Sequence, residues 1–410
     1  MLTYVRSSLM KRKQLEDLTR SHDMKLRRQG EDLTRSFVLK VLQTKTSKEA
    51  TRLSGLIRNK DWPAALEVAD FLSQQKYVTA SEHYDANQLS YLLRKYPWTH
   101  PELKPDEVAR AKFKAGEERL RELNTRGFES PEMANTMQRM RAFIAYVLGE
   151  NPDVSVLLEG DFGPGAAIGT HGNATNLLRK IEGDWTVTPG AYRYAIWSLL
   201  RNHHYSERLY DSVNGIVCWD PSIAEQRAME KMSVVRYNKI AFVPKTAKTS
   251  RSIAVEPLWN TYLQKGVDKD LRKRLKRIGI DLSDQERNQA AARRGSMYDS
   301  EDEAVTIDLA NASNSISVEL VRAVLPPDWF ALLDSLRSQY YLDGGKETRY
   351  EMFASMGNGF CFPLETLLFV AACHASECGT PGKDFLVYGD DIVIRKMHAV
   401  TAIRTLEYIG

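Results

Sequence analysis

The residue pattern predicts an α+β protein, a helical N-terminal region followed by a part in which short strands alternate with helices. Two observations carry that class. Apolar residues recur at helical spacing through residues 1–125, as in Leu53, Leu56 and Ile57 and again in Leu89, Leu92 and Leu93. From about Val235 the texture changes to short β-rich runs: Ile240–Val243, Ser252–Val255, Val305–Leu309, Phe385–Tyr388 and Ile392–Ile394. A chain of 410 residues, 43% apolar, can bury a large core and form two or three domains.

The N-terminal region is basic as well as helical. Residues 1–60 hold 15 Lys or Arg against 6 Asp or Glu, and the remainder holds 42 against 47. Such an end suits a phosphate backbone. A second basic cluster, Lys265 to Arg277, includes Arg272, Lys273, Arg274 and Lys276; it fits a phosphate contact or a solvated helix face. Met1–Lys13 has cations but no apolar segment before a small-residue cleavage site, which argues against a signal peptide. No apolar run reaches the length of a membrane span. Cys218, Cys361, Cys373 and Cys378 are too few for a disulfide framework in so long a chain and fit a reducing cytosol. The string Glu-Asp-Leu-Thr-Arg-Ser occurs at 16–21 and 31–36, too short a repeat to mark a solenoid.

The middle of the chain holds a glycine-rich loop, Asp161-Phe-Gly163-Pro164-Gly165 through Gly169. It lacks the Lys-Ser/Thr of a phosphate loop and the spacing of a dinucleotide fingerprint, so it reads as a turn. Pro189 to Asn202 is helical again. His203 and His204 carry no ligand pattern, and the spacing of Cys373, His374 and Cys378 is poor for zinc.

Chemistry concentrates in the C-terminal third. In Phe385-Leu-Val-Tyr388-Gly389-Asp390-Asp391-Ile-Val-Ile394, two apolar runs flank Gly389-Asp390. Gly at the first central position suits a type II′ hairpin turn. The tip would hold two adjacent carboxylates, whose repulsion is relieved by a cation, and hard oxygen donors suit Mg²⁺. Upstream, Val305 and Ile307 alternate with Thr306 and Asp308, placing Asp308 where a strand ends. Ser and Asn residues then offer N-caps for a helix through Val318, Val321 and Leu325, stopped by Pro326-Pro327. Three such carboxylates can clamp two metal ions for phosphoryl transfer. Between them, Ser355-Met-Gly357-Asn358-Gly359 forms a loop ahead of a helix with Pro363 in its first turn and Gly379 and Pro381 at its far end. Upstream again, Lys245, Lys248 and Arg251 space cations every third residue among β-formers, donors a triphosphate needs.

In order, these segments resemble motifs F (239–257), A (304–317), B (353–370) and C (385–394) of viral RNA polymerases. The strings Lys245-Thr-Ala-Lys-Thr-Ser-Arg251, Thr306-Ile-Asp308-Leu, Ala-Ser-Asn-Ser-Ile-Ser at 312–317, Ser355-Met-Gly-Asn-Gly359 and Tyr388-Gly-Asp-Asp391 are similar to those of the levivirus replicase subunit. Phe162-Gly-Pro-Gly-Ala166 and Asn288-Gln289 before Gly295-Ser296 add to the likeness, which spans about 150–400. The resemblance implies a right-hand fold with a small antiparallel palm sheet on helices. It divides the chain into a helical region at 1–125, fingers at 126–277 and palm at 278–410. It implies two Mg²⁺, replaceable by Mn²⁺, on Asp308, Asp390 and Asp391, and triphosphate contact by Lys245, Lys248 and Arg251. Ser355, Gly357 and Asn358 would position ribose and template. RNA and ribonucleoside triphosphates are the implied partners, with host elongation factors Tu and Ts, in the cytoplasm of a bacterial host.

Two departures stand out. Asn314 occupies a position where the family usually carries Asp, which keeps hydrogen bonding but loses charge and bears on ribose selection. Only 19 residues follow Asp391, read as one helix from Val400 to Tyr408 with Ile403, Leu406 and Ile409 on one side. The family's next strand, with a catalytic lysine, and its helical thumb would follow, so the expectation is a chain cut short before the thumb. Competing readings are a reverse transcriptase, disfavoured by Gly389 and the lack of a bulky aromatic near Asp308, and a non-catalytic RNA-binding fragment.

Overall fold

The computed structural model describes residues 24–45, 47–170, 176–213, 216–218, 220–297 and 303–410. The expectations for Met1–Lys13 and for the first copy of the six-residue repeat lie outside the described residues, as do the side chains of His203, His204 and Cys218. Contacts gather the chain into two compact units, Met1–Arg110 with Phe242–Arg251, and Ala111–Ala241 with Ser252–Gly410. No described helix is long and apolar enough to cross a membrane.

The first unit is helical: α1 (24–43), α2 (Lys48–Arg58), α3 (Trp62–Gln74) and α4 (Ala80–Lys95). Each start after α1 has a local cause. Ser47 accepts from the Ala50 amide, and Asp61 accepts from the Ala64 amide with Pro63 in the first turn. Thr79 and Glu82 form a reciprocal capping box. Leu53, Ile57, Trp62, Leu66, Leu89 and Leu93 form its core, closed by Trp98 stacked on Trp62 with ring centres 3.8 Å apart. Ala247 is buried in the same core, and its amide donates to the Arg94 carbonyl at 2.7 Å.

The helices that follow are α5 (Pro105–Arg126), α6 (Ala134–Leu148), α7 (Leu177–Glu182), α8 (Tyr192–Arg201), α9 (His203–Ser206), α10 (Pro221–Lys231), α11 (Leu258–Arg277), α12 (Glu286–Gly295), α13 (Val318–Val324), α14 (Pro327–Leu336), α15 (Cys361–Ala375) and α16 (Ala399–Ile409). The strands are β1 (Trp185–Val187), β2 (Asp211–Val213), β3 (Ile216–Cys218), β4 (Met232–Val234), β5 (Tyr237–Pro244), β6 (Ser250–Val255), β7 (Ala304–Asp308), β8 (Tyr340–Asp343), β9 (Lys346–Arg349), β10 (Leu386–Tyr388) and β11 (Asp391–Arg395). They form a three-stranded sheet β10-β11-β7, a four-stranded sheet β6-β5-β8-β9 and the pairs β1-β4 and β2-β3.

Helix α15 is the axis of the second unit's core. Thirteen of its 15 residues are buried, the mark of a helix enclosed on every side rather than a surface helix with one apolar stripe. It packs against α6, α11 and α16 and under β10.

The strands and helices expected in the C-terminal third are present, with informative shifts. Ser317 caps α13 by accepting from the Leu320 amide, and Pro326-Pro327 ends that helix but also opens α14. The end of α15 is not made by Gly379. Glu377 takes the left-handed position (φ 63°), and the Glu377 and Cys378 amides donate to the His374 and Cys373 carbonyls, a Schellman closure. On α16 the buried face is Ala402, Leu406 and Ile409, whereas Ile403 is exposed. Ile403 lies one residue, about 100°, away from the buried row.

Candidate active site

Strands β10 and β11 pair antiparallel with Tyr388 opposite Asp391, leaving Gly389-Asp390 as a two-residue turn. Gly389 has φ 60° and Asp390 does not have positive φ, the type II′ pattern. A side chain at Gly389 would also run into the Phe362 ring, and the Gly389 amide donates to Thr366 Oγ1 at 3.1 Å. Helix α15 therefore dictates both the shape and the height of the turn.

Strand β11 then pairs antiparallel with β7, and the register sets Asp391 directly opposite Asp308. Residues opposed in this way project to the same face of the sheet. Asp308, Asp390 and Asp391 are all exposed. Partial burial, then the negative charge of Asp390, raises the Asp391 carboxyl from its ordinary value; Asp308 adds to the rise and a hydrogen bond from Gln285 opposes it. Among the described residues, no group of three or more Asp, Glu, His or Cys side chains is placed as a metal-binding cluster. Mg²⁺ seldom needs one: it takes one or two carboxylates and completes its octahedron with water and phosphate oxygens. Asp308 and Asp391 form an exposed, in-register carboxylate pair, with Asp390 on the adjoining turn.

Neighbouring elements hold this tip. Gln285 Nε2 reaches Asp391 Oδ2 at 3.5 Å, and Asn288 Nδ2 donates to the Asp391 carbonyl at 3.1 Å, so α12 steadies Asp391. Under the turn, Glu365 of α15 is buried and accepts from Ser313 Oγ at 2.6 Å. Burial pushes its carboxyl up to about 7, with Asp390 adding to the rise and the Ser313 hydrogen bond opposing it. Ser313 belongs to a short 3₁₀ turn, Ala312–Ser315, entered through Asn311 in the left-handed region (φ 62°). Asn314 lies on that turn, its amide bonded to the Asn311 carbonyl at 2.9 Å, and Arg119 donates to Ser315 Oγ at 2.7 Å.

Ser355, Gly357 and Asn358 lie together just ahead of α15. Gly357 has φ 120°, and its Cα faces the Ala254 carbonyl with no room for a side chain. Ser355 and Asn358 are buried, and Asn358 Oδ1 accepts from the Phe360 amide. Lys245, Lys248 and Arg251 belong to the first unit and are exposed, and Lys248 Nζ lies 2.6 Å from Asp70 Oδ2.

Other features singled out in the sequence resolve as structural. In α11, Lys265 and Arg272 both engage Asp268, Arg274 engages Asp270, Lys273 engages Glu159 and Lys276 engages Asp281. Those five cations are matched within the unit. The loop from Phe162 to Gly165 is folded round buried Lys180, whose ammonium donates to the Gly163 and Gly165 carbonyls. Cys373 and Cys378 are buried, and the His374 ring packs on Phe143.

Sequence reading missed Gln285, Glu365 and Thr366. For Glu365 a signal existed: the lone charged residue in the run Leu364–Val370 is costly to bury unless it serves something. Gln285 and Thr366 act across 106 and 23 residues of chain, and no local pattern marks them.

A family model described as RNA replicase, beta-chain, matches residues 59–410. The RNA-directed RNA polymerase beta chain of Escherichia phage MS2 is 37% identical over 254 residues, 61% of this chain and 43% of that protein. The corresponding chain of Enterobacteria phage fr is 31% identical over 392 residues, covering 89% and 66%. The RNA-directed RNA polymerase subunit beta of Escherichia virus Qbeta is 32% identical over 364 residues, covering 83% and 57%. The chain thus spans 43% to 66% of the length of these relatives.

Proposed function

The chain belongs to the RNA replicase beta-chain family, and from that premise we propose that it carries out template-directed RNA synthesis as the polymerase chain of an RNA phage replicase. The observation that supports this best is the register of β7 on β11, which sets Asp308 against Asp391 beside the Gly389-Asp390 turn. Its substrates are an RNA template and ribonucleoside triphosphates, and its product is RNA.

In this reading β7, β10 and β11 with α12 and α15 make the palm within 278–410, 126–277 makes fingers, and 1–125 is a helical N-terminal region belonging to the fingers. Asp308, Asp390 and Asp391 would hold two Mg²⁺, or Mn²⁺ in their place. Bound there, the ions would neutralise triphosphate charge and acidify the attacking 3′-hydroxyl. The chain itself supplies position and charge. Gln285 and Asn288 orient Asp391, and Thr366 and Phe362 fix the turn that carries Asp390. Lys245, Lys248 and Arg251 contact the triphosphate, for which Lys248 exchanges its Asp70 partner for phosphate. Ser355, Gly357 and Asn358 shape the loop against ribose and template, and Asn314 meets the ribose without adding charge. Elongation factors Tu and Ts of a bacterial host, and that host's cytoplasm, complete the proposal.

The test is incorporation of labelled ribonucleotides on an RNA template. Asp390→Asn should lower the Mg²⁺-dependent rate at least about a hundredfold; undiminished incorporation overturns the assignment. Preference for deoxyribonucleotides in the same assay would identify a reverse transcriptase instead. Salt-sensitive RNA binding without product would leave an RNA-binding chain.

A further inference from the structure

A sealed polar network lies behind the 355–359 loop, and its buried members Glu256, Asn238 and Gln264 have no role in the proposed chemistry. At its centre is Glu256, 2% exposed, immediately after β6. Its carboxylate accepts from Asn238 Nδ2 at 2.7 Å, Ser338 Oγ at 2.7 Å and Gln264 Nε2 at 3.4 Å. Asn238 is 1% exposed and Gln264 fully buried. Each of these amides also reaches onward. Asn238 Nδ2 lies 3.5 Å from Ser355 Oγ, and its Oδ1 accepts from the Tyr350 hydroxyl at 2.8 Å. Gln264 Nε2 donates to the Leu336 carbonyl at 2.9 Å, and its Oε1 accepts from the Gly359 amide at 2.9 Å.

The orientation of the Gln264 amide is forced. A carboxylate and a carbonyl can only accept and a backbone amide can only donate, so the NH₂ must face Glu256 and Leu336 and the oxygen must face Gly359. The loop is thus held at Ser355 through Asn238 and at Gly359 through Gln264. A third hold is the Ala254 amide donating to the Met356 carbonyl at 2.7 Å. Burying a carboxylate and two amides here is costly, and apolar residues of like volume would serve packing better. A connected network specifies one arrangement of the groups it joins.

We infer that Glu256 and Gln264 are positioning residues that hold the 355–359 loop in its nucleotide-receiving shape; this rests on the proposed polymerase reading. They act through the loop and touch no reacting atom, so their loss falls on nucleotide affinity rather than turnover. The decisive variant is Gln264→Met in the full chain, which keeps volume and removes the acceptor for Gly359. Two measurements read it. Hydrogen exchange of a peptide covering 355–360 should accelerate at least about tenfold, while peptides covering Ala304–Asp308 and Asp391–Arg395 keep their wild-type rates. The KM for ribonucleotides should rise about tenfold with kcat within about twofold. Gln264→Glu keeps an acceptor for Gly359 and, sharing a proton with Glu256, should return both readouts to within about threefold of wild type. This variant also serves if the methionine chain fails to melt cooperatively.

Wild-type exchange and wild-type KM in Gln264→Met overturn the inference. So does a loss confined to kcat, or a Gln264→Glu chain as impaired as a misfolded one. A wild-type chain that makes no RNA overturns the polymerase reading instead, while the exchange rates still decide whether the network holds the loop.

Discussion

Gly389 carries two demands at once, a positive φ and the absence of any atom where the Phe362 ring lies. Gly389→Ala should therefore cost about 1–3 kcal/mol and displace Asp390. Calorimetry and ribonucleotide incorporation together check this, and an alanine chain with both unchanged would remove the turn from the argument. Glu117 makes a different kind of prediction. It is buried, it accepts from the Glu351 and Met352 amides, and burial pushes its carboxyl up to about 7. A carboxyl raised on folding binds its proton more tightly in the native state, so its contribution is present below the unfolded value near 4.5 and is lost as pH rises through about 7. The melting temperature should fall between roughly pH 5 and 8, and Glu117→Gln should flatten that slope whatever its absolute stability. An unaltered slope would acquit Glu117. At this scale the placement of Asp308 at a strand end and of Asp390 and Asp391 on a hairpin turn was legible because turn chemistry and strand alternation are local. Glu117 and Glu365 were not, since their environments are assembled from segments up to 235 residues distant.

Helix and strand identity was read more reliably than helix and strand ends. The strands β5, β6, β7, β10 and β11 follow from β-branched runs and alternation. The hairpin β8–β9 went unread although Gly344-Gly345, both at positive φ, marks its turn. Strands β1 and β4 have three residues each and pair parallel, too short for any period to register. The end of α15 shows the limit most plainly: glycine at 379 looked like the stop, yet the closure falls on Glu377, whose side chain pairs with Arg139 at 2.8 Å. Both side chains of that pair are exposed, so it contributes no more than about 1 kcal/mol. Glu377→Gly relieves the left-handed strain and should raise stability by up to about 1 kcal/mol, seen as a higher unfolding midpoint in urea. A lower midpoint would mean that the ion pair outweighs the backbone.

For the molecule as a whole, the residue pattern identified a mixed helix and sheet chain and left the basic cluster of α11 open between a phosphate contact and a solvated helix face. Five cations of the α11 cluster pair off with Asp268, Asp270, Glu159 and Asp281, and a cation already matched by a carboxylate releases few counterions from RNA. Lys273→Ala with Lys276→Ala should leave RNA affinity within about twofold and its salt slope unchanged, as measured by filter binding across ionic strength. A slope reduced by one or two would restore the cluster to the RNA path. Helix α15 has a wider consequence. Asn358 lies three residues ahead of its first residue, Cys361, and Thr366 lies about 7.5 Å along its axis from Cys361 at 1.5 Å per residue. In the proposed function, the loop that receives a base and the turn that bears the acids are therefore both set by one helix. Mutations that tilt this helix should alter accuracy of copying before they abolish copying.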